Sequence, residues 1–454
     1  MKDAPGAREL AERACRAAVG DEVEAVVHSE RSGFARFAGS TVHQPTLVED
    51  RSLTLRVVQD GRIGTISTNR TDDAGLVSAA RRAADAAAGA RPDPAFPGLP
   101  PPANAPEVEG FDAETAELTP DEQARRAWAA IEAAPRHRLY GYFTSGLAEL
   151  AVASSTGVSV AQAMTDATVV ALAAADGESG YAEATSWQAG AIDPATVGQA
   201  AAERAERTRG AGDFEPGTYR AVLEPYAFGE LVWYFGLSSL GGLALLEGRS
   251  YVAGRVGERI FHPDFTLFDD ACDPRGLPKA FDFEGVPKRR VSLVERGVAR
   301  GVVWDRRTAR RAGTESTGHA LAAPSQSYGP LPFNLVVPGG DATVDDLVQR
   351  VGEGIYVTRL HYVNLVDARE GVLTGMTRDG TFRIEGGRVT TPIVNLRFTT
   401  SFPDLAARLL GLAREPRLVN QSDFYGERYP YGTLVPAVAT EAFTVTGTGS
   451  APGV

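Results

Sequence analysis

A proline-dense segment about one fifth of the way along the chain limits how its 454 residues divide into folded units. The prolines are Pro92, Pro94, Pro97, Pro100, Pro101, Pro102 and Pro106. Proline fixes φ and has no backbone N–H, so this run can be neither a helix interior nor a central strand. Residues 92–106 are therefore predicted to be a linker or an extended surface segment. Since a chain this long should hold two or three domains, the segment marks the first boundary.

Residues 1–91 mix helix and strand patterns. Asp60-Gly61 is a strong signal for a two-residue hairpin turn, and Asp72 or Thr71 is a suitable N-cap for a following helix. The predicted elements are a helix over 7–19, strands over 23–28, 33–38, 53–58 and 62–68, and a helix over 72–90. We predict that residues 1–91 form an N-terminal α/β domain.

Residues 107–215 repeat this mixture. Thr119 and Glu122 form a capping-box pattern around Pro120, and Asp193-Pro194 begins another capped helix. Between these helices, strands are predicted over 141–145, 147–154 and 159–175. The segment is predicted to be a central α/β domain.

After a strand over 217–223 and an apolar helical segment over 226–245, the pattern becomes mainly β. Turn signals separate strands predicted over 291–295, 299–304, 333–337, 357–366, 372–376, 381–385, 388–398 and 435–446, with a short helix over 405–412. Residues 216–454 are therefore predicted to be a large, mainly antiparallel β domain. The expected fold class is α+β, with N-terminal α/β domains followed by this C-terminal domain.

The charge and composition exclude several classes of function. A formal charge of −12 and a pI near 5.2 argue against general nucleic-acid binding, which needs a basic surface. The two cysteines, Cys15 and Cys272, imply no disulfide framework, so a reducing compartment fits. The first residues have no apolar signal region, and no run of 18 apolar residues occurs. We therefore expect a cytoplasmic protein with no membrane partner.

The histidines do not form a metal-binding pattern. They are His28, His43, His137, His262, His319 and His361, and no two of them lie within five residues of each other. A three-ligand zinc site usually combines a closely spaced pair with a distant third ligand. We expect no metal in this chain.

The loop around Ser316, Thr317 and His319 places hydroxyls beside a histidine. Neighbouring residues rarely form a catalytic triad, because base and nucleophile must face each other across a site, and there is no Gly-x-Ser-x-Gly elbow. The simpler interpretation is a loop whose hydroxyls satisfy backbone groups. Nearby, Arg306 and Arg307 begin a basic cluster that could bind a carboxylate or an acidic partner, or could simply be solvated.

Several segments, in the same order along residues 20–445, resemble the TldD/TldE family, whose TldE member is also called PmbA. They are residues 57–65, 248–252, 257–260, 267–270, 281–287, 305–309, 313–320, 373–380 and 384–387. The resemblance implies a peptidase family that acts on small or unfolded peptides. Thr317 and Asp379, which lie in two of these segments, join Arg306 and Arg307 as candidate residues for binding substrate or partner.

In this family, the TldD subunit carries His-Glu-x-x-x-His on a helix, and its histidines bind zinc. The matching window here is Gly229-Glu230-Leu231-Val232-Trp233-Tyr234. Glu230 matches the glutamate, but Gly229 and Tyr234 stand where the histidines would be. The chain thus resembles TldE, which lacks the motif and pairs with TldD. The resemblance implies a heterodimer with zinc on a TldD-like partner and no cofactor in this chain.

Two hypotheses follow. In the first, the chain helps to form the substrate channel of such a heterodimer and positions peptide backbones by strand addition. In the second, it acts alone or as a homodimer, as a peptide-binding protein or a non-zinc hydrolase. The candidates for catalysis in the second case are Glu230, Ser316 and His319, although Glu230 is more simply a polar residue on an amphipathic helix.

Overall fold

The computed structural model describes residues 5–422 and 426–449 and confirms the α+β fold class. In the first half of the chain, the helices are α1 (Pro5–Ala17), α2 (Asp73–Gly89), α3 (Ala113–Ala116), α4 (Pro120–Glu132) and α5 (Pro194–Arg207). The strands are β1 (Glu22–Ala38), β2 (Thr41–Gln59), β3 (Arg62–Thr68), β4 (Arg138–Ser154), β5 (Ser159–Ala175) and β6 (Glu178–Ser186).

These six strands form one antiparallel sheet in the order β3-β2-β1-β4-β5-β6. The side chains of β4 alternate between the two faces of the sheet, as a period of two requires. Ala151 and Ala153 pack in the cluster that includes α1 and α2, whereas Leu150 and Val152 pack against Ala280 of the C-terminal half. The sheet is therefore a layer between its own helices and the C-terminal domain.

The sheet contains strands from both residues 1–91 and residues 107–215, which were predicted to be separate domains. β1 pairs with β2 on one side and with β4 on the other, across the proline-dense segment. Because both neighbours pair along its length, the predicted strands over 23–28 and 33–38 form one continuous strand. The predictions of separate strands over 141–145 and 147–154 were wrong for the same reason, since β4 pairs throughout with β1 and β5.

The predicted helix starts follow the local chemistry. The Asp72 side chain accepts from the Gly75 N–H, and Asp193 caps α5 in the same way. Thr119 and Glu122 form both bonds of the predicted capping box.

In the second half, the helices are α6 (Pro225–Ser239), α7 (Gly242–Leu246), α8 (Arg306–Ala312), α9 (Val344–Val351) and α10 (Phe402–Ala407). The strands that precede residue 372 are β7 (Gly217–Leu223), β8 (Leu267–Asp269), β9 (Val291–Glu295), β10 (Val298–Ala299), β11 (Leu335–Val336) and β12 (Gly354–Asp367). The later strands are β13 (Val372–Glu385), β14 (Arg388–Pro392), β15 (Leu396–Ser401), β16 (Leu409–Leu412), β17 (Arg417–Asn420), β18 (Gly432–Val435) and β19 (Val438–Thr448).

Two sheets build this C-terminal domain. One is a closed ring, β12-β7-β19-β15-β13, in which β13 pairs back to β12, with β14 and β16 attached outside it. The other has the order β10-β9-β8-β11-β18-β17. Most pairings are antiparallel as predicted; β7 with β12 and β11 with β18 are parallel. Helix α6 contacts both sheets and contributes to the largest hydrophobic core.

Several predictions in this domain were wrong. The strand predicted over 299–304 ends at Ala299, and the one predicted over 388–398 is two strands, β14 and β15. Two further differences have a clear cause. The strands predicted over 372–376 and 381–385 are a single strand, because Asp379 and Gly380, with φ of 58° and 137°, form an irregularity within β13 instead of a turn. The helix predicted over 405–412 ends at Ala407, and Leu409–Leu412 pairs with β19. Tertiary pairing overrode the local propensity at both places.

Within residues 5–422 and 426–449, no helix is long and apolar enough to cross a membrane.

Candidate functional site

Helix α6 has a single partly exposed stripe. Eleven of its fifteen residues are buried, and the exceptions include Glu230, Tyr234 and Leu237. Positions i, i+4 and i+7 lie on the same helix face, so these three residues form one stripe. The helix begins with Pro225 at its first turn, a position where proline loses no hydrogen bond. Glu230 and Tyr234 of the predicted functional segment therefore lie on a helix that is fixed in the hydrophobic core.

Gly229 lies about 100° around the helix from Glu230, on a tightly packed side of α6. A Cβ atom at this position would lie 2.8 Å from Thr433 Oγ1 and 3.1 and 3.2 Å from methyl carbons of Val419 and Val435. All three neighbours belong to β17 and β18 and are held by the sheet. The position where a zinc-binding histidine would stand has no room for a side chain. The residues of this window therefore do not fit a zinc ion.

Glu183 on β6 is held beside this stripe. The Tyr181 hydroxyl donates to its carboxylate, and the Asn420 N–H donates to the same carboxylate at 3.0 Å. The Tyr226 hydroxyl of α6 bonds to both backbone groups of Glu183, at 2.8 Å and 3.2 Å. Arg417 in turn donates to that hydroxyl at 2.6 Å. The N-terminal sheet, α6 and β17 thus meet in one hydrogen-bonded polar cluster.

Arg359 on β12 adds a second positive charge to this cluster, beside that of Arg417. Its guanidinium donates to Asp379 at 2.6 Å and lies 3.8 Å from the centre of the Tyr181 ring. Asp379 is 1% exposed and sits at the irregularity within β13. The structure therefore places the candidate Asp379 as the partner that orients Arg359. Its predicted role in binding substrate or partner stays a prediction.

The environment of Glu230 shifts its titration. Burial raises the pKa of Glu230 to about 7, and the Glu183 carboxylate also raises it, while Arg359 and the Gln421 amide lower it. When Glu183 and Glu230 are both ionised, the cluster holds three carboxylates, with Asp379, against the two guanidinium groups of Arg359 and Arg417, which leaves an excess of negative charge. Glu230 is therefore a carboxyl that exchanges its proton near neutral pH, a property found mainly at functional sites.

The raised pKa predicts that Glu230→Gln is more stable than the parent at pH 8.5, by about 2 kcal/mol. The folded state holds the Glu230 proton more tightly than the unfolded state, so stability falls as pH rises from about 4.5 towards 7. The difference should be several-fold smaller at pH 5, which is close to the unfolded pKa. Urea unfolding of both proteins at the two pH values measures it, with the exposed Glu258→Gln as control. A difference that does not change with pH would contradict the assignment.

The loop of Ser316, Thr317 and His319 forms a different polar cluster. Thr317 Oγ1 lies 2.9 Å from His319 Nδ1, and His319 Nε2 lies 2.9 Å from Asp269 Oδ1. His319 and Asp269 are 1% and 0% exposed, and Thr317 also bonds to both backbone groups of Trp304. Burial lowers the pKa of His319. This is the arrangement of a buried, satisfied polar group, without access for a substrate.

Ser316 does not join that arrangement. Its hydroxyl donates to the Trp304 carbonyl at 3.2 Å and accepts from the Gly318 N–H. The hydroxyl next to the His319 ring belongs to Thr317. The structure thus gives no support to a serine nucleophile activated by His319.

Arg306 and Arg307 contact the proline-dense segment. Arg306 donates to the Gly98 carbonyl at 3.0 Å, and Arg307 pairs with Asp93 at 2.6 Å. These contacts fix the segment against α8, so the two arginines form a network separate from Glu230. Among the residues that the structure describes, no three histidine, cysteine, aspartate or glutamate side chains are grouped to hold a metal ion.

Sequence reasoning identified Glu230 but missed Glu183, Tyr181 and Arg359. These residues come from β6 and β12, and only the packing of three elements brings them to α6. An arginine or glutamate in a strand carries no local signal of such a contact. The same is true of Asp269, which lies 50 positions before its partner His319.

Comparison with known proteins identifies the family. The family model described as PmbA/TldA metallopeptidase C-terminal domain matches residues 216–447, and the one described as PmbA/TldA metallopeptidase domain 1 matches residues 23–87. This chain belongs to the PmbA/TldD metallopeptidase family. The resemblance seen in the sequence segments is thereby confirmed. The match to the C-terminal model covers both α6 and the two sheets that enclose it.

Individual curated proteins match the chain in part by sequence. A metalloprotease of Methanothermobacter thermautotrophicus is 26% identical over 257 residues, which cover 56% of this chain and 55% of that protein. A metalloprotease TldD homolog of Haemophilus influenzae is 28% identical over 208 residues, or 44% and 42% of the two chains. The chain thus spans about half the length of the curated relatives it matches.

The fold matches a PmbA/TldD family structure over nearly its whole length. TldE from Thermococcus kodakarensis superposes with a TM-score of 0.85, covering 97% of this chain and 99% of that one, at 22% identity. The likeness shows that the two chains share their fold.

Proposed function

We propose that this chain is the zinc-free, TldE-like subunit of a two-subunit zinc peptidase that acts on small or unfolded peptides. The zinc and its histidines would be on a TldD-like partner. The observation that carries the proposal is the packing of Gly229: a member of a metallopeptidase family keeps Glu230 but has no room for the first histidine. A glutamate without a metal-bound water has no nucleophile to activate.

In this proposal, the stripe of Glu230 and Tyr234 contributes to the substrate channel. Polar groups of Glu183 and Arg359 adjoin the stripe, and they could bind the N–H and C=O groups that every peptide carries. A site that binds the peptide's backbone and not its side chains would accept many sequences, as a peptidase with little sequence preference requires. Because the ring of β12, β7, β19, β15 and β13 is closed, strand addition in this ring's sheet would have to use an outer strand such as β14.

Reconstitution with a TldD-like chain tests the proposal. We expect the isolated chain to contain no stoichiometric zinc and to leave an unstructured peptide uncut. Mixing with a partner that bears His-Glu-x-x-x-His should give a stable heterodimer with one zinc and at least a hundredfold more peptidase activity than this chain alone, since the partner would supply the metal-bound nucleophile. Elemental analysis, size-exclusion chromatography and a peptide-cleavage assay measure these outcomes.

Two controls sharpen the test. A partner whose two histidines are replaced by alanine should still form the heterodimer but should lose activity, which separates assembly from chemistry. One tightly bound zinc in the isolated chain, or peptidase activity that it shows alone, would contradict the proposal. Activity that is lost in the isolated chain on Ser316→Ala would instead support the non-zinc hydrolase.

A further inference from the structure

A cleft lies between the N-terminal sheet and the C-terminal domain, with the proline-dense segment as one wall. Its volume is about 480 Å³, within the usual range for small-molecule sites. A smaller recess of about 80 Å³ adjoins it and shares Arg56 and Gln326 in its lining. The cleft contains Glu284, and the recess contains Glu24. Neither belongs to the polar cluster around Glu230.

Both glutamates carry a buried carboxylate oxygen without a hydrogen-bond partner among the described residues. Glu24 is 2% exposed; one of its oxygens pairs with Arg56 at 3.1 Å, and the other, Oε2, is unpartnered. Glu284 Oε2 is also buried and unpartnered, and no lysine or arginine of the described chain forms an ion pair with it. Arg56 itself is occupied by Glu24 and by the Gln326 side chain at 3.1 Å. A buried acceptor that stays unpaired costs about 1–3 kcal/mol, so such oxygens usually have a ligand or water.

Glu284 is held rigidly in this position. The Asp282 carboxylate accepts from the Glu284 and Val286 N–H groups, each at 2.9 Å, and from the Ala320 N–H at 2.8 Å. The turn at Gly285 needs a positive φ of 74°, which glycine adopts without strain. The carboxylate thus faces the cleft from a preorganised loop.

The opposite wall is fixed by arginines. Arg306 donates to the Gly98 carbonyl, Arg307 pairs with Asp93, and Arg310 donates to the Phe96 carbonyl at 2.7 Å. Three arginines of the basic cluster seen in the sequence therefore hold this wall in place through hydrogen bonds and an ion pair. The cleft is built from three separate parts of the chain that are locked together.

The charges that act on Glu284 favour a positive ligand. The pKa of Glu284 is raised to about 8, mainly by burial and next by the negative charge of Asp282. The carboxylates of Glu24 and Asp305 also raise it, and the Arg56 guanidinium lowers it. Burial likewise raises the pKa of Glu24, against Arg56 and Arg306, while Glu22 adds to the rise. The other charged groups that line the cleft are Asp93 with its partner Arg307, and the exposed Arg311.

We propose that this cleft binds a small organic cation with N–H donors, a primary ammonium or a guanidinium group, which donates to Glu284 and Glu24. Arg56 acts on both glutamates and Arg306 acts on Glu24, but the Oε2 atoms of Glu24 and Glu284 have no hydrogen-bond donor in the described part of the chain, and a cation with N–H groups would supply one. The cleft has room for a basic peptide side chain with part of its backbone or for a free diamine, and both carry this chemistry. The site is on this chain and needs no partner subunit.

Isothermal titration calorimetry on the full chain tests the site. The probes are acetyl-Gly-Arg-Gly-amide, the same peptide with neutral citrulline in place of arginine, and agmatine. We expect the arginine peptide or agmatine to bind at least tenfold more tightly than the citrulline peptide, because charge-assisted hydrogen bonds contribute more than neutral ones. Tight binding of agmatine alone identifies a free diamine, and preference for the peptide identifies a peptide side chain.

The affinity for the cation should rise from pH 6 to pH 9, since ionisation of Glu284 creates the second negative charge. Glu284→Gln should lower the affinity about tenfold and flatten this pH profile, and Glu24→Gln should lower the affinity in the same way. The exposed Glu107→Gln is the matched control and should bind as the parent does.

Equal binding of the arginine and citrulline peptides by the parent, or no binding of any probe at millimolar concentration, would overturn the proposal without the use of any variant. Glu284→Gln with the parent's affinity and a parental thermal midpoint would overturn it as well. These outcomes do not depend on whether the chain pairs with a zinc-bearing subunit.

Discussion

Replacing Asp166 with asparagine is expected to lower the free energy of unfolding by about 3–5 kcal/mol, the range for removing one member of a buried ion pair. Asp166 on β5 accepts two bonds from the Arg428 guanidinium, at 2.7 and 2.6 Å. The two residues are 1% and 2% exposed. The substitution keeps one side-chain acceptor, but it removes the negative charge that balances the buried guanidinium and replaces one of the two accepting oxygens with an NH2 group that cannot accept. Chemical denaturation of the parent and the variant measures the loss.

The matched control for this prediction is Asp341→Asn. Asp341 also pairs with an arginine, Arg350 at 3.7 Å, but its side chain is 91% exposed. Exposed pairs of this kind contribute little, so the control should unfold like the parent. If Asp166→Asn and Asp341→Asn have the same stability, the buried pair does not hold the C-terminal segment to the N-terminal sheet as the geometry indicates.

Restoring the zinc motif by the double substitution Gly229→His and Tyr234→His is expected to destabilise the protein by about 3 kcal/mol or more. Overpacking a core typically costs about 1–3 kcal/mol for a few extra atoms, and an imidazole adds more than that. Its Cβ alone would press against Thr433, Val419 and Val435. The variant should bind no stoichiometric zinc, because the first histidine cannot reach a ligating position without displacing β17 and β18.

Denaturation and elemental analysis test this second result together. Gly89→His in α2 is the matched control, since a Cβ there meets nothing within 4 Å and the extra side chain can lie in solvent. A double variant that keeps the parent's stability and takes up one zinc per chain would show that the Gly229 position is not closed. It would also remove the main support for a zinc-free subunit.

Local chemistry predicted much of the fold. The Asp60-Gly61 turn between β2 and β3 and the capping box of Thr119 and Glu122 depend on residues within four positions, so the sequence specifies them directly. The mainly β character of the C-terminal domain followed from strands separated by turn residues in the same way. Glu230 was identified because the resemblance to the family pointed to its window.

Long-range pairing accounts for what the sequence could not predict. The pairing of β1 with β4 aligns Glu24 with Ser154, 130 positions apart, and nothing in either segment specifies the other. Arg359 and Glu183 reach Glu230 only through the packing of β12 and β6 on α6. The unpartnered oxygens of Glu24 and Glu284 depend on three separate segments, and no sequence pattern reports a missing hydrogen bond.

The position of β1 inside the N-terminal sheet has a consequence during synthesis of the chain. A ribosome adds about 5–20 residues per second, so roughly 5–25 seconds pass between the emergence of β1 and that of its partner β4. For that time the hairpin of β1 and β2 has an unpaired edge, which is the kind of edge that pairs with other chains. A fragment that stops at the proline-dense segment would keep this edge permanently. Protection of the nascent hairpin by a chaperone, or its aggregation when the chain is truncated there, therefore follows from the strand order.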